Sequence, residues 1–129
     1  FIDATLVKKG SDFYLKFDQY EIKLPASKNK DNVLEAYNGK EVVFGIRPEH
    51  VHDEPEFLEK ATDGIVDANV DVTELMGAEI YLYVNIAGIP LTARVEPTSK
   101  AKPGDAIKVA LDLNKVHIFD KETEQTITN

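Results

Sequence analysis

The sequence predicts a mainly β fold, a small barrel carrying one short helix. Three features predict it. Apolar and polar residues alternate with period two over most of the chain. Turn-forming pairs separate the alternating runs at short intervals. A single stretch carries helix-boundary signals. A length of 129 residues suits one domain or two small lobes; as lobes, they would be interleaved segments 1–40 and 41–129.

Ile2 to Val7, Asp12 to Phe17 and Tyr20 to Leu24 form a three-strand meander. Lys9-Gly10-Ser11 and Asp18-Gln19 make its turns, and Pro25 ends it because proline cannot donate to a ladder. The helix is expected next. Asn32 caps it, Glu35 completes a capping box, Val33, Leu34 and Tyr37 share its apolar face, and Asn38-Gly39 stops it. Val42, Phe44 and Ile46 then give a strand that ends at Arg47-Pro48. The acidic stretch from Glu49 to Glu59 reads as a surface loop.

The second half alternates more cleanly. Val66, Ala68, Val70 and Val72 point inward, opposite Asp67, Asn69, Asp71 and Thr73. After Glu74-Leu75-Met76-Gly77 come Ile80, Leu82, Val84 and Ile86, with Tyr81, Tyr83 and Asn85 on the other face; Gly77 is expected to allow a positive-φ turn flanked by Glu74 and Glu79. Ala87-Gly88 turns the chain into Leu91, Ala93 and Val95. Lys102-Pro103-Gly104-Asp105 turns it into Ile107, Val109 and Leu111, and Val116, Ile118 and Phe119 close the chain. Closure into a barrel hides the edges that an open sheet of such strands would expose.

Composition narrows function. Acids outnumber Lys and Arg 23 to 15, for a net charge of −8, which opposes a nucleic-acid role. There is no cysteine, so no thiolate metal site. Apolar runs are far too short to span a bilayer, and no signal peptide opens the chain. The chain starts at Phe1, directly in an alternating run, and reads as a piece of a longer protein.

The machinery of catalysis is missing from the sequence. The seven glycines are scattered, with no phosphate-binding loop. Ser11, Ser27 and Ser99 lie in turns with no nucleophile elbow. His50 and His52, among Glu49, Asp53 and Glu54, read as a solvated acidic loop before they read as metal ligands. The stripe Asp67, Asn69, Asp71 reads as the polar face of a strand. Tyr81 and Tyr83 share one face, which suits cross-strand packing or a protein interface. Thr98, Ser99 and Lys100 form the one compact donor cluster for an oxyanion. We therefore expect no catalytic residue, cofactor site or metal site in this chain.

Five segments carry a resemblance. Phe44-Gly45-Ile46-Arg47-Pro48-Glu49-His50 is similar to a signature of the C-terminal domain of MalK-type ATP-binding subunits of carbohydrate importers, including the MsmK-like and UgpC-like branches. In the same order follow Val72-Thr73-Glu74-Leu75-Met76-Gly77-Ala78-Glu79, Leu91-Thr92-Ala93-Arg94-Val95, Gly104-Asp105, and Lys115 to Asp120 with Glu122-Thr123. The resemblance implies a TOBE domain, MOP-like and of OB type, spanning 1–129. It implies a regulatory and dimerisation role, pairing with a second copy, with permease subunits and regulatory proteins as further partners. It also implies a cytoplasmic position on the inner membrane face. ATP and magnesium would be bound by an ATPase domain preceding Phe1. Gly45, Arg47, Pro48, Glu49 and Gly77 are the structural signature, with Arg47 expected to pair with Glu49 or another acid. Glu74, Leu75, Met76, Glu79, Tyr81 and Tyr83 are the candidate protein-contact residues. The alternative function is a MOP-like sensor of small oxyanions.

Overall fold

A computed structural model describes all 129 residues. Backbone contacts divide them into two compact units, residues 1–46 with 113–129, and residues 47–112. The lobes read from the sequence set their boundary at 40/41 instead, and left the C-terminal segment out of the first one.

In the first unit the meander forms as expected: β1 (Ile2–Lys9), β2 (Asp12–Phe17) and β3 (Tyr20–Lys23). It continues through β4 (Glu41–Gly45), β10 (His117–Asp120) and β11 (Thr126–Thr128) into an antiparallel sheet ordered β11-β10-β4-β1-β2-β3. Alternation buries Ile2, Ala4, Leu6, Phe13, Leu15, Phe17, Val42 and Phe44 on one side. Lys28 is also buried, and its ammonium donates to the Val116 carbonyl at 2.8 Å. A Cβ at Gly45 would stand 2.9 Å from the Phe1 ring, which covers this glycine. That ring meets Phe119 edge-on, with centroids 5.7 Å apart.

The helix expected from Asn32 does not form, and two 3-10 turns, Ala26–Asn32 and Glu35–Tyr37, take its place. Asp31 and Asn32 both take positive φ, so the chain cannot enter a helix there. Asn29 Oδ1 accepts from the Leu34 N–H at 2.9 Å, while Asn32 caps nothing. Glu35 pairs with Lys8 at 3.0 Å rather than closing a capping box. Leu34 is buried, and the Tyr37 hydroxyl donates to Asp120 Oδ2 at 2.9 Å.

The second unit is a five-stranded sheet ordered β5-β9-β6-β7-β8, from β5 (Val51–His52), β6 (Ile65–Met76), β7 (Glu79–Ile86), β8 (Ile89–Val95) and β9 (Ala106–Leu111). β5 also packs against β8, which brings the two ends of the sheet together. Val66, Ala68, Val70, Leu82, Val84, Ile86, Ala93, Val95, Val109 and Leu111 fill it. The acidic stretch is not a plain loop. It holds a 3-10 turn (Pro48–His50), β5, and the one α-helix, α1 (Pro55–Lys60). Pro55 opens that helix, Glu56 and Lys60 complement its dipole, and Phe57 stacks on His52 at 3.9 Å.

Candidate functional site: the long hairpin of the second unit

β6 is twelve residues long, but β9 covers only its first part. β9 pairs with Ile65 to Asn69, whereas β7 pairs with Asn69 to Met76 on the opposite edge. The hairpin of β6 and β7 therefore runs on past the core. Its turn is Gly77-Ala78, within the stretch expected between Glu74 and Glu79. Gly77 sits at φ +64°, a left-handed position that a side chain would strain.

The register shifts between Val70 and Val72, where Asp71 is bulged out and held by Asn85 at 2.9 Å. A bulge flips the faces. The inward set runs Val66, Ala68, Val70, then Thr73 and Leu75 opposite Leu82 and Ile80. Val72, expected inside, is instead 52% exposed. On the outer face the pairs are Val72 with Tyr83, Glu74 with Tyr81, and Met76 with Glu79.

The hairpin thus gathers four of the five exposed large apolar side chains of the molecule. Leu75 is 72% exposed, Val72 52%, Met76 51% and Tyr83 36%. Residues scattered singly would need no explanation; here Val72, Met76 and Tyr83 share the outer face and Leu75 stands on the other, which makes the tip a candidate contact surface. Polar groups frame it. The Tyr83 hydroxyl lies 3.4 Å from Glu74 Oε1, and desolvation together with that carboxylate pushes the phenol above its ordinary range. Arg94, across β7 from Tyr81, pairs with Glu79 at 2.7 Å. Its hydrogen bond to Tyr81, reinforced by Glu79 and Glu49, raises the guanidinium's already high value.

All six residues expected to contact protein, Glu74, Leu75, Met76, Glu79, Tyr81 and Tyr83, lie on this hairpin. Val72 and Arg94 belong with them and were not singled out. Arg94 was nevertheless legible, because the two-residue turn at Ala87-Gly88 fixes Tyr81 opposite Arg94. The signature residues lie apart from this tip, Gly77 excepted. Arg47 is exposed and makes no ion pair within 4 Å, contrary to expectation. Arginine chemistry in this unit is done by Arg94. Pro48 opens a 3-10 turn, and the backbone N–H of Glu49 is the main cause holding its carboxyl below the ordinary range.

The remaining candidates are engaged elsewhere. His52 meets Glu54 at 3.1 Å and Phe57 by stacking. Asp67 pairs with Lys108 at 2.9 Å. Ser99 Oγ donates to Asp53 Oδ2 at 2.6 Å, which puts a carboxylate where the oxyanion reading needs a bare donor.

Residues 44–119 match the TOBE domain family and residues 1–51 match the MalK OB fold domain. The chain belongs to the TOBE domain family. Among curated proteins it is 39% identical to the oligosaccharides import ATP-binding protein MsmX of Bacillus subtilis, over 92% of this chain and 33% of that protein. It is 30% identical to the trehalose/maltose import ATP-binding protein MalK of Thermococcus litoralis, over 98% of this chain and 34% of that one. The chain thus spans about a third of the length of these relatives. A crystal structure of the cytoplasmic molybdate-binding protein ModG, with molybdate bound, shares the fold at a TM-score of 0.63 over 89% of both chains, with 15% identity.

Proposed function

We propose that this chain is the regulatory and dimerisation module of the ATP-binding subunit of a carbohydrate importer. It works by contacting protein and carries out no chemistry of its own. ATP and magnesium are handled by a separate ATPase domain of the parent protein, and no residue of this chain holds them. Its partners are a second copy of the same subunit, the permease subunits reached through the whole protein, and regulatory proteins. The parent works on the cytoplasmic side, at the inner face of the membrane. The observation that carries this reading is the exposed apolar hairpin on a domain whose relatives are named as sugar import ATP-binding proteins.

Two measurements test it. The chain alone should show no ATP hydrolysis, and sedimentation should show weak, reversible self-association. Hydrolysis above the buffer rate, or a strict monomer up to millimolar concentration, removes the proposal's content. The oxyanion reading is not adopted, because Ser99, the central donor of its cluster, is already bonded to the Asp53 carboxylate.

A further inference from the structure

The hairpin offers more than an apolar patch. From Val72 to Met76, β6 has β7 on one edge and no strand on the other, because β9 stops pairing at Asn69. Just before this stretch, Val70 is closed off by backbone bonds to Gly104 and Asp105. Beyond it the outward N–H and C=O groups have no backbone partner in the molecule. A bare strand edge is a template for another strand.

Side chains decide which strand. On the outer face the edge presents Val72, Glu74 and Met76, an apolar, acidic, apolar row. Glu74 stands at its centre and meets no cation; its contact is the Tyr83 hydroxyl. The cations on the neighbouring strands of this face are engaged elsewhere, Arg94 on Glu79 and Lys108 on Asp67. An incoming antiparallel strand places its residues directly opposite this row. A second copy pairing in the matched register would set Glu74 against its own equivalent, and like charges directly opposite are destabilising. The surroundings add to this. Residues 47–112 hold 13 of the chain's 23 acids and only six of its 15 bases. Glu74 therefore disfavours pairing of this edge with its own copy in the matched register and selects a cation.

We infer that the free edge of β6 at residues 72–76 takes up an extended segment of a different protein, one that alternates apolar, Lys or Arg, apolar side chains on the face it turns to Val72, Glu74 and Met76. This rests on the reading of the hairpin as a protein contact surface and names its mode and its partner's chemistry.

The test uses synthetic seven-residue peptides on the whole 129-residue chain. One alternates Thr with Val, Lys and Val; a second carries Glu in place of Lys; a third has a proline at the centre. Binding is followed by amide shifts and by hydrogen exchange at residues 72–76. The Lys peptide should slow exchange there and bind at least about fivefold more tightly than the Glu peptide. The proline peptide should not protect these amides. Glu74→Lys should reverse the preference between the charged peptides; its amide spectrum reports whether the fold is kept, and the wild-type preference stands as a test without it. The inference is overturned if the Lys peptide leaves residues 72–76 unprotected, or if both charged peptides bind equally. Self-association of the chain, measured separately by sedimentation, tells failure of this inference from failure of the regulatory reading.

Discussion

Leu75 and Leu82 face the same side of one hairpin, and their fates on truncation should differ several-fold. Leu82 is fully buried at the centre of the second unit, whereas Leu75 is 72% exposed beyond its end. Truncating Leu82 to Ala forfeits the whole transfer free energy and leaves a cavity, which costs about 2–5 kcal/mol. Leu75 keeps only about a quarter of its surface from water. If full burial of a leucine is worth about 2 kcal/mol, Leu75→Ala costs the fold only about 0.5 kcal/mol. Urea unfolding of both variants, followed by far-UV circular dichroism, measures the difference. A loss of about 2 kcal/mol at Leu75 would refute the reasoning, because the tip would then be part of the core and not a surface kept for a partner.

Gly77→Ala should cost about 1 kcal/mol from its left-handed backbone alone, since nothing lies within 4 Å of a Cβ there, and Gly77→Asn should cost less. Phe44→Ala should cost about 3–5 kcal/mol, whereas Gly45→Ala should cost under about 1 kcal/mol, because the ring it meets belongs to the exposed Phe1 and can turn aside; thermal melts separate the two. Asp120 gives a pH prediction. The Thr123 N–H first, then the Tyr37 hydroxyl, hold its carboxyl below the ordinary aspartate value of 3.8. A depressed folded value means the contribution is complete above that ordinary value and is lost as pH falls through the lower, folded one. Protection of the Glu122 and Thr123 amides, taken relative to their intrinsic exchange rates, should therefore fall only at acid pH, and Asp120→Asn should abolish that dependence.

Strand positions and most inward residues were legible, because alternation reports which side of a pleat is buried. The meander at Ile2 to Leu24 and the Ala87-Gly88 turn are examples. Two things were not legible. Alternation cannot register a bulge, so Val72 was placed inside when Asp71 had flipped the faces after Val70. Capping signals are local, so Asn32 read as a helix start although positive φ at Asp31 and Asn32 closed that route and Asn29 took the bond. The helix that does form, at Pro55 to Lys60, had its own signal in a proline at the first position and a lysine in the last turn. Acidity there was read as a loop and hid it. The six candidate contact residues were legible as a hairpin, but that the edge of β6 stands bare depends on where β9 ends, which no local pattern contains.

Hydrogen exchange on the parent protein assembled with its transporter, set against this chain alone, tests the central claim most directly. The amides of residues 72–76 that point to the open edge of β6 should exchange freely in the isolated chain and become protected in the assembly, while core amides such as those of Leu82 and Val84 stay slow in both. Equal, fast exchange of those edge amides in both states would mean that nothing docks on the hairpin, and would contradict this.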